Sequence, residues 1–183
     1  MANLYKLQFN NRTILTPSKD SFVAFVEPPV AYKRYMWKFT GATGRLGYRQ
    51  FQMAAIKIND ESLPYTYITS AISVGSTWGD GSATNFIDLD ETNKWGGGSE
   101  SFGTIDGWII FDLPSAIVPV YYMLKTANDT EYENRNPTGS LLYASLDTPT
   151  TSTDSSWVLL DDRNPNLPRS NLTWCGPYTL NQI

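Results

Sequence analysis

The side chains that most often carry chemistry are scarce in this chain of 183 residues, which has no histidine and a single cysteine, Cys175. Histidine is the usual base in serine and cysteine hydrolases, so both kinds of triad are excluded within this chain. One cysteine likewise excludes an internal disulfide and a zinc site of ordinary composition. We therefore expect Cys175 to be a buried thiol.

Carboxylates are the remaining catalytic candidates, because a glycosidase needs only two of them beside the scissile bond. The available acids lie in polar, glycine-rich sequence that predicts loops, where acids are most often solvated. We therefore expect a protein that is not an enzyme, with a glycosidase as an alternative. The acids that such an enzyme could use are Asp80, Asp88, Asp90, Glu91, Glu100 and Asp106.

A possible metal site lies in the acidic loop, where Asp88, Asp90 and Thr92 alternate along the chain. Alternate loop residues can turn their oxygens towards one point, and calcium accepts carboxylate, hydroxyl and carbonyl oxygens in flexible geometry. The pattern predicts a structural Ca²⁺ ion, and an ordinary acidic turn is the alternative.

Aromatic side chains close to amide and guanidinium donors are typical of sugar-binding sites, since a flat ring stacks on the sugar while the donors bond its hydroxyls. Trp78, Phe102 and Trp174 lie in predicted loops or strand ends rich in Gly, Ser and Asn. Asn134 and Arg135 could supply the donors. We predict a ligand site from these five residues. The alternatives are loop anchoring for the aromatics and a structural ion pair for Arg135.

The elements that must position these residues are strands, because apolar residues alternate along the chain and no useful stretch has helical periodicity. Pro114 and Pro119 are expected to separate two of the strands, the second of which should be central because it is nearly continuous in apolar residues. Strands are predicted over 35–39, 52–58, 66–74, 108–113, 118–126, 140–146, from 157 onwards and over 174–180.

Residues 134–162 carry the densest local pattern and predict a β-hairpin with a long loop. Pro137 and Gly139 precede an apolar run, a polar loop containing Pro149 follows it, and Trp157 begins a second apolar run. This stretch also resembles the discoidin or coagulation-factor type C family. The resemblance lies in an Arg-x-Pro at Arg135, a Ser-x-Asp at Ser145, then Trp157 and the Leu-Asp pair at Leu160.

Two further blocks resemble that family in the right order, at residues 85–95 and 107–113. The resemblance implies a galactose-binding-like β-sandwich of jelly-roll topology over residues 35–183, with loops at one end that bind carbohydrate or another surface ligand. The matching loop holds a structural calcium ion in many sugar-binding relatives, so the resemblance implies such an ion at the loop of Asp88. Those relatives often have an acid in the preceding strand, where this chain has Ala55. It also implies that Trp95, Trp108 and Trp157 are packing residues.

Residues 1–34 lie outside the resemblance and contain two alternating runs, 4–9 and 22–26, which predict two strands. They could form a hairpin added to the sandwich or an arm that contacts a neighbouring subunit. Such sandwiches also occur in virus and phage particles. A structural assembly protein of a virion, such as a tail, fibre or capsid-associated component, is therefore the alternative function.

The net charge is −4 and no basic run is present, so a nucleic-acid partner is not expected. Neither a leader sequence nor an apolar stretch long enough to span a bilayer is seen, and we expect a virion location rather than a cytoplasmic one. Apolar residues make up 41% of the chain, which predicts one folded domain with a possible extra arm.

Overall fold

The computed structural model describes residues 5–9, 12–16, 28–42, 49–59, 70–74, 83–86, 92–99, 106–131 and 135–180. These ranges contain strands, a 3₁₀-helix at Ala83–Phe86 and no α-helix, which confirms the predicted all-β class. None of their helices has the length and apolar character needed to cross a bilayer. The strands are β1 (Tyr5–Phe9), β2 (Arg12–Thr16), β3 (Tyr32–Ala42), β4 (Arg49–Met53), β5 (Ala55–Asn59), β6 (Ser70–Val74), β7 (Trp95–Ser99), β8 (Asp106–Ile117), β9 (Tyr121–Lys125), β10 (Pro137–Ser145), β11 (Val158–Arg163) and β12 (Trp174–Thr179).

Two antiparallel sheets share one hydrophobic core. The larger has five strands in the order β11-β10-β3-β8-β6, and the smaller has three in the order β12-β9-β5. Alternation along β3 turns Tyr35, Trp37 and Phe39 into the core, where β5 and β9 contribute Ile56 and Leu124. As predicted, β9 is the central strand of its sheet.

Aromatic rings fill one half of the core and join a further two-stranded sheet, β4–β7, to it. The ring of Phe51 in β4 lies 3.7 Å from that of Phe39, and the ring of Trp95 in β7 lies 4.7 Å from that of Phe51. Trp37 and Phe86 complete the group, with ring centroids 5.0 Å apart. Trp95 is therefore a core residue, as predicted, whereas Trp108 and Trp157 are partly exposed and lie outside the core.

Two strand boundaries differ from those predicted by the sequence. The run 52–58 belongs to two strands, β4 and β5, because the chain bends at Ala54 and changes partner from β7 to β9. Pro114 lies inside β8 and does not end it. The pairing of β8 with β3 shifts between Asp112 and Ile117, so no regular ladder requires an amide hydrogen at this proline.

The predicted hairpin is confirmed, with β10 and β11 paired antiparallel and joined by a long loop. Arg34 of β3 holds this loop, since its guanidinium donates to the Pro149 carbonyl at 3.1 Å. The same guanidinium forms a two-point ion pair with Asp112, directly opposite in β8, at 2.8 and 2.9 Å. Trp157 anchors the loop from within by donating to the Thr151 carbonyl.

A buried hydrogen-bond network crosses between the two sheets. The Tyr122 hydroxyl of β9 donates to Asp161 Oδ2 in β11 at 2.8 Å and lies 3.1 Å from Ser140 Oγ in β10. The Trp37 indole donates to the same Ser140 oxygen at 2.7 Å. Arg163 pairs with Asp161 and also donates to the Thr179 carbonyl of β12 at 2.7 Å.

At the N-terminal end, β1 and β2 pair with each other and with no other described strand. The run 4–9 is thus confirmed as a strand, but its partner Arg12–Thr16 was not predicted. The predicted strand 22–26 lies outside the described residues.

Gly107 in β8 is required by the ring that crosses it. It lies directly opposite Phe39, and a Cβ atom there would be 1.7 Å from Phe39 Cζ. We expect Gly107→Ala to lower the free energy of unfolding by about 1–3 kcal/mol, because the buried ring has to shift. Urea denaturation measures the change. The matched control is Gly96→Ala in β7, where the nearest atom, the Phe51 carbonyl oxygen, is 3.6 Å away. Equal losses in the two variants would contradict a specific role for the Phe39 ring.

Two tyrosines predict a loss of stability at alkaline pH. Burial raises the pKa of the partly buried Tyr178 to about 12 and also raises that of the buried Tyr122. Because the pKa of Tyr178 in the folded protein lies above the ordinary value of about 10, the stability that it contributes is fully present below pH ~10 and is lost as the pH rises through ~12. We expect the free energy of unfolding to fall over this interval, and Tyr178→Phe to fall less than the wild type. Urea denaturation at several pH values tests this, and parallel losses in the two proteins would contradict it.

Candidate functional site

Two connections meet at one end of the sandwich, here called the loop end. Their described parts are residues 126–131 and 135–136 of the 126–136 connection, between β9 and β10, and residues 164–173, between β11 and β12. Backbone hydrogen bonds join them directly, from Leu172 to the Ala127 carbonyl at 3.1 Å and from Thr126 to the Thr173 carbonyl at 3.0 Å. The described parts of the two connections therefore lie side by side.

Short polar side chains hold these two connections together. Thr126 Oγ1 donates to the Ser170 carbonyl at 2.6 Å and accepts from the Thr173 amide at 2.8 Å. Asn171 accepts from the Glu131 amide at 2.7 Å. Since the loops satisfy many of their polar groups internally, we expect them to be preorganised for binding.

Arg135, one of the predicted ligand donors, lies at the loop end. Its carbonyl accepts from the Gln52 amide at 3.0 Å, which places it beside the bend between β4 and β5. Asn136 follows it and is buried, with its amide donating to the Pro168 carbonyl at 3.0 Å. Arg135 is half-buried, and its backbone is held beside β4 by the bond from Gln52. Asn134, the other predicted donor, lies outside the described residues.

Trp174 is the first residue of β12 and lies on the outer face of the three-stranded sheet. It is directly opposite Lys125 in β9, whose neighbour Leu124 points into the core. Residues opposite each other on antiparallel strands share a face, so Trp174 and Lys125 both point away from the core. Trp174 is partly exposed, as a ligand-binding aromatic must be.

Two lysines that were not predicted from the sequence lie over the ring of this tryptophan. Lys57 Nζ of β5 lies 4.0 Å from the centre of the Trp174 ring, and Lys125 Nζ lies 5.5 Å from it. Both distances allow attraction between an ammonium and the π face. Alternation along β5 predicts that Lys57 points to the face of the strand away from Ile56 and Ile58. The sequence does not show, however, that β5, β9 and β12 are neighbouring strands.

Lys94 and Asp129 form an ion pair that connects the residue before β7 to the loop end. Within the described part of the chain, Asp129 Oδ1 is buried and has no hydrogen-bond partner. The same holds for the indole nitrogen of Trp95, next to Lys94. Asp129 Oδ1 and the Trp95 indole nitrogen are thus buried polar atoms whose hydrogen bonds water or a ligand group could complete.

Most of the other predicted site residues lie outside the described residues. These are Trp78 and Phe102 of the ligand set and Asp88 and Asp90 of the calcium set. Thr92 is described and is an exposed turn residue. The described ranges contain no group of three or more acids or cysteines that could hold a metal ion.

The end of β6 and the start of β8 both lie towards the loop end. Val74 ends β6 and pairs with Ile109 of β8, and Asp106 begins β8 and pairs with Thr40 of β3.

The acids described with ion pairs are Asp112, Asp129 and Asp161, each beside a basic side chain. Asp161 is 5% exposed and is hydrogen-bonded inside the core, where it connects the two sheets.

Cys175 is only half-buried, less than expected, and burial raises the pKa of its thiol. A raised pKa leaves a thiol protonated and unreactive at neutral pH.

Comparisons with protein-family models, with curated proteins and with solved structures each found no match.

Proposed function

We propose that the protein is a non-enzymatic recognition module, a galactose-binding-like β-sandwich whose loop end binds carbohydrate or another surface ligand. The sheets of five and three strands support a jelly roll, which has eight strands in two sheets. The residues that resemble the discoidin family support the same fold. A structural Ca²⁺ ion held by Asp88, Asp90 and Thr92 is part of this proposal.

The observation that carries the proposal is that Arg135 and Trp174 both adjoin the bend between β4 and β5. Gln52 bonds to Arg135, while Ala54 bonds through its amide, at 2.9 Å, to the carbonyl of Lys125. Lys125 in turn pairs with Trp174. The backbones of Arg135 and Trp174, which are 39 residues apart in sequence, therefore adjoin the same bend. An aromatic surface beside charged donors is the arrangement that sugar rings need.

Glycan binding tests this proposal. We expect the wild type to bind a subset of sugars on a glycan array, and Trp174→Ala and Arg135→Ala each to weaken binding by about tenfold or more, because each removes a contact worth ~1.5 kcal/mol or more. Isothermal titration with the best array ligand gives the affinities. The matched control is Trp108→Ala, which removes a partly exposed tryptophan from the other sheet.

Thermal unfolding checks that each variant is folded before its binding is compared. Equal binding by all four proteins, or no binding by the wild type to any sugar on the array, would contradict the proposed site. Release of shorter sugars during the titration would instead favour the glycosidase alternative.

The second candidate function is structural assembly in a virus or phage particle, and two observations favour it. The hairpin β1–β2 pairs with no other described strand. The exposed large apolar residues Val30, Leu146, Val158 and Leu159 lie at the end of the five-stranded sheet opposite to the loop end. Exposed apolar side chains that cluster at one end are typical of contact surfaces.

Residues 1–27 decide between the two functions. If assembly is the function, the full chain forms a defined oligomer, and a chain that begins at Pro28, which keeps all of β3, is a folded monomer, because it lacks the strands β1 and β2 that would add to a neighbour. Size-exclusion chromatography with light scattering measures both masses, and circular dichroism checks that the shorter chain is folded. A monomeric full chain would contradict assembly through this segment.

A further inference from the structure

Four large apolar side chains are exposed at the end of the five-stranded sheet opposite to the loop end. They are Val30, Leu146, Val158 and Leu159, here called the apolar end, and their exposed fractions range from 38% to 72%. Exposed apolar groups that cluster in one place are typical of contact surfaces. We propose that the apolar end binds the β1–β2 hairpin of a second copy of this chain. This contact is separate from the loop end and supplies the assembly function with an acceptor surface.

The loop that borders the apolar end is held in place by the sheet. Arg34 of β3 donates to the Pro149 carbonyl at 3.1 Å, and the Trp157 indole donates to the Thr151 carbonyl at 2.9 Å. These bonds fix the loop between β10 and β11 at both of its ends. The apolar end is therefore a preformed surface, and a partner that binds it does not have to order the loop.

The open edge of β11 forms one side of the apolar end. β11 is the last strand of the five-stranded sheet, and β10 is the only described strand that pairs with it. Val158 and Leu159 pair regularly with β10, so they point to opposite faces of the sheet, and both are exposed. The feature that they share is the edge itself, which an added hairpin can cover.

The β1–β2 hairpin has the apolar character that this surface requires. Tyr5, Leu7 and Phe9 alternate with polar residues along β1, and the register places Leu7 opposite Ile14 of β2. A two-stranded hairpin is marginally stable at best in water and needs a further surface to pack against. β1 and β2 pair only with each other among the described strands, so the described sheets of one chain supply no partner strand.

Charge complementarity favours the same contact. Residues 5–16 contain two basic residues, Lys6 and Arg12, and no acid. Three exposed acids, Asp147, Asp154 and Asp162, lie in the loop between β10 and β11 and in β11 itself. Opposite charges around an apolar contact speed association and help to fix its register.

The path of the chain directs the hairpin to a second copy. The exposed residues 28–31 lead into β3 and include Val30, so the segment that carries the hairpin leaves the body of the protein at the apolar end. Residues 17–27 could span about 36 Å if extended, which is enough to reach a neighbour at this surface. In a single chain the four apolar side chains remain exposed, so its own hairpin does not cover them. Two copies can cover both surfaces at once by exchanging hairpins about a two-fold axis.

Charged substitutions at the apolar end test the acceptor surface. We expect light scattering at several concentrations to show that the full chain forms a dimer. Leu146→Lys and Val158→Lys should each raise the Kd of the dimer by about tenfold or more, because each places a charge in an apolar contact. Both side chains are exposed, so the variants should fold, and thermal unfolding checks this. The control, Asn128→Lys, adds the same charge at an exposed position of the loop end and should leave the Kd unchanged.

Charge reversal tests whether the hairpin is the occupant. Lys6→Glu and Arg12→Glu, combined in the full chain, should raise the Kd of the dimer by about tenfold, because the hairpin then meets acids of like charge. Adding Asp154→Lys and Asp162→Lys to the same chain should recover most of that loss. Recovery requires the two sets of residues to meet across the contact, so a change in the hairpin alone cannot produce it.

The outcomes separate the possible occupants of the apolar end. A full chain that is monomeric at every concentration, or a dimer that neither Leu146→Lys nor Val158→Lys weakens, overturns the inference. A dimer that these two variants weaken but the hairpin variants do not would mean that another surface of the second copy binds here, and the hairpin contact is then wrong. Glycan binding is a separate measurement, so each of these results leaves the proposed carbohydrate site standing.

Discussion

The hydrogen bond between the Tyr122 hydroxyl and the Asp161 carboxylate is the constraint on which the arrangement of the molecule depends. It joins the two sheets inside the core, where an unsatisfied carboxylate would be costly. Ser140 and Arg163 complete the network around these two groups. Tyr122, Ser140 and Asp161 belong to β9, β10 and β11, and Arg163 reaches the backbone of β12. Those four strands begin or end the two connections of the loop end, so the network in the core also sets how the loops meet.

The positions of the proposed binding residues follow from this rigid base. The 126–136 and 164–173 connections are held by backbone bonds and by Thr126, Asn136 and Asn171. The aromatic residues of β4 and β7 close the core beneath them. Loops that carry recognition residues on a rigid scaffold lose little entropy on binding, which suits a recognition module. The exposed apolar residues lie at the opposite end, so ligand binding and assembly could occur on one molecule without competing.

The strand pattern was largely predictable, because alternation of apolar residues reports local geometry. The hairpin of β10 and β11, the central position of β9 and the closing strand at Trp174 all followed from it. Prediction was less successful where a residue acts through a distant neighbour. Pro114 remains inside β8 because the pairing with β3 is irregular there, and Gly107 is needed because Phe39 crosses it. The exposed sides of Trp108 and Trp157 were likewise not visible in the sequence.

By itself, the sequence determined the all-β class, the absence of histidine-based catalysis and the choice of Arg135 and Trp174 as candidate binding residues. The tertiary structure decided that these two adjoin the same bend, and that the ammonium groups of Lys57 and Lys125 lie over the indole. The physical reason is that residue type and local periodicity fix which face of a strand a side chain occupies. The order and register of strands depend on long-range pairing, and only these bring β5, β9 and β12 side by side.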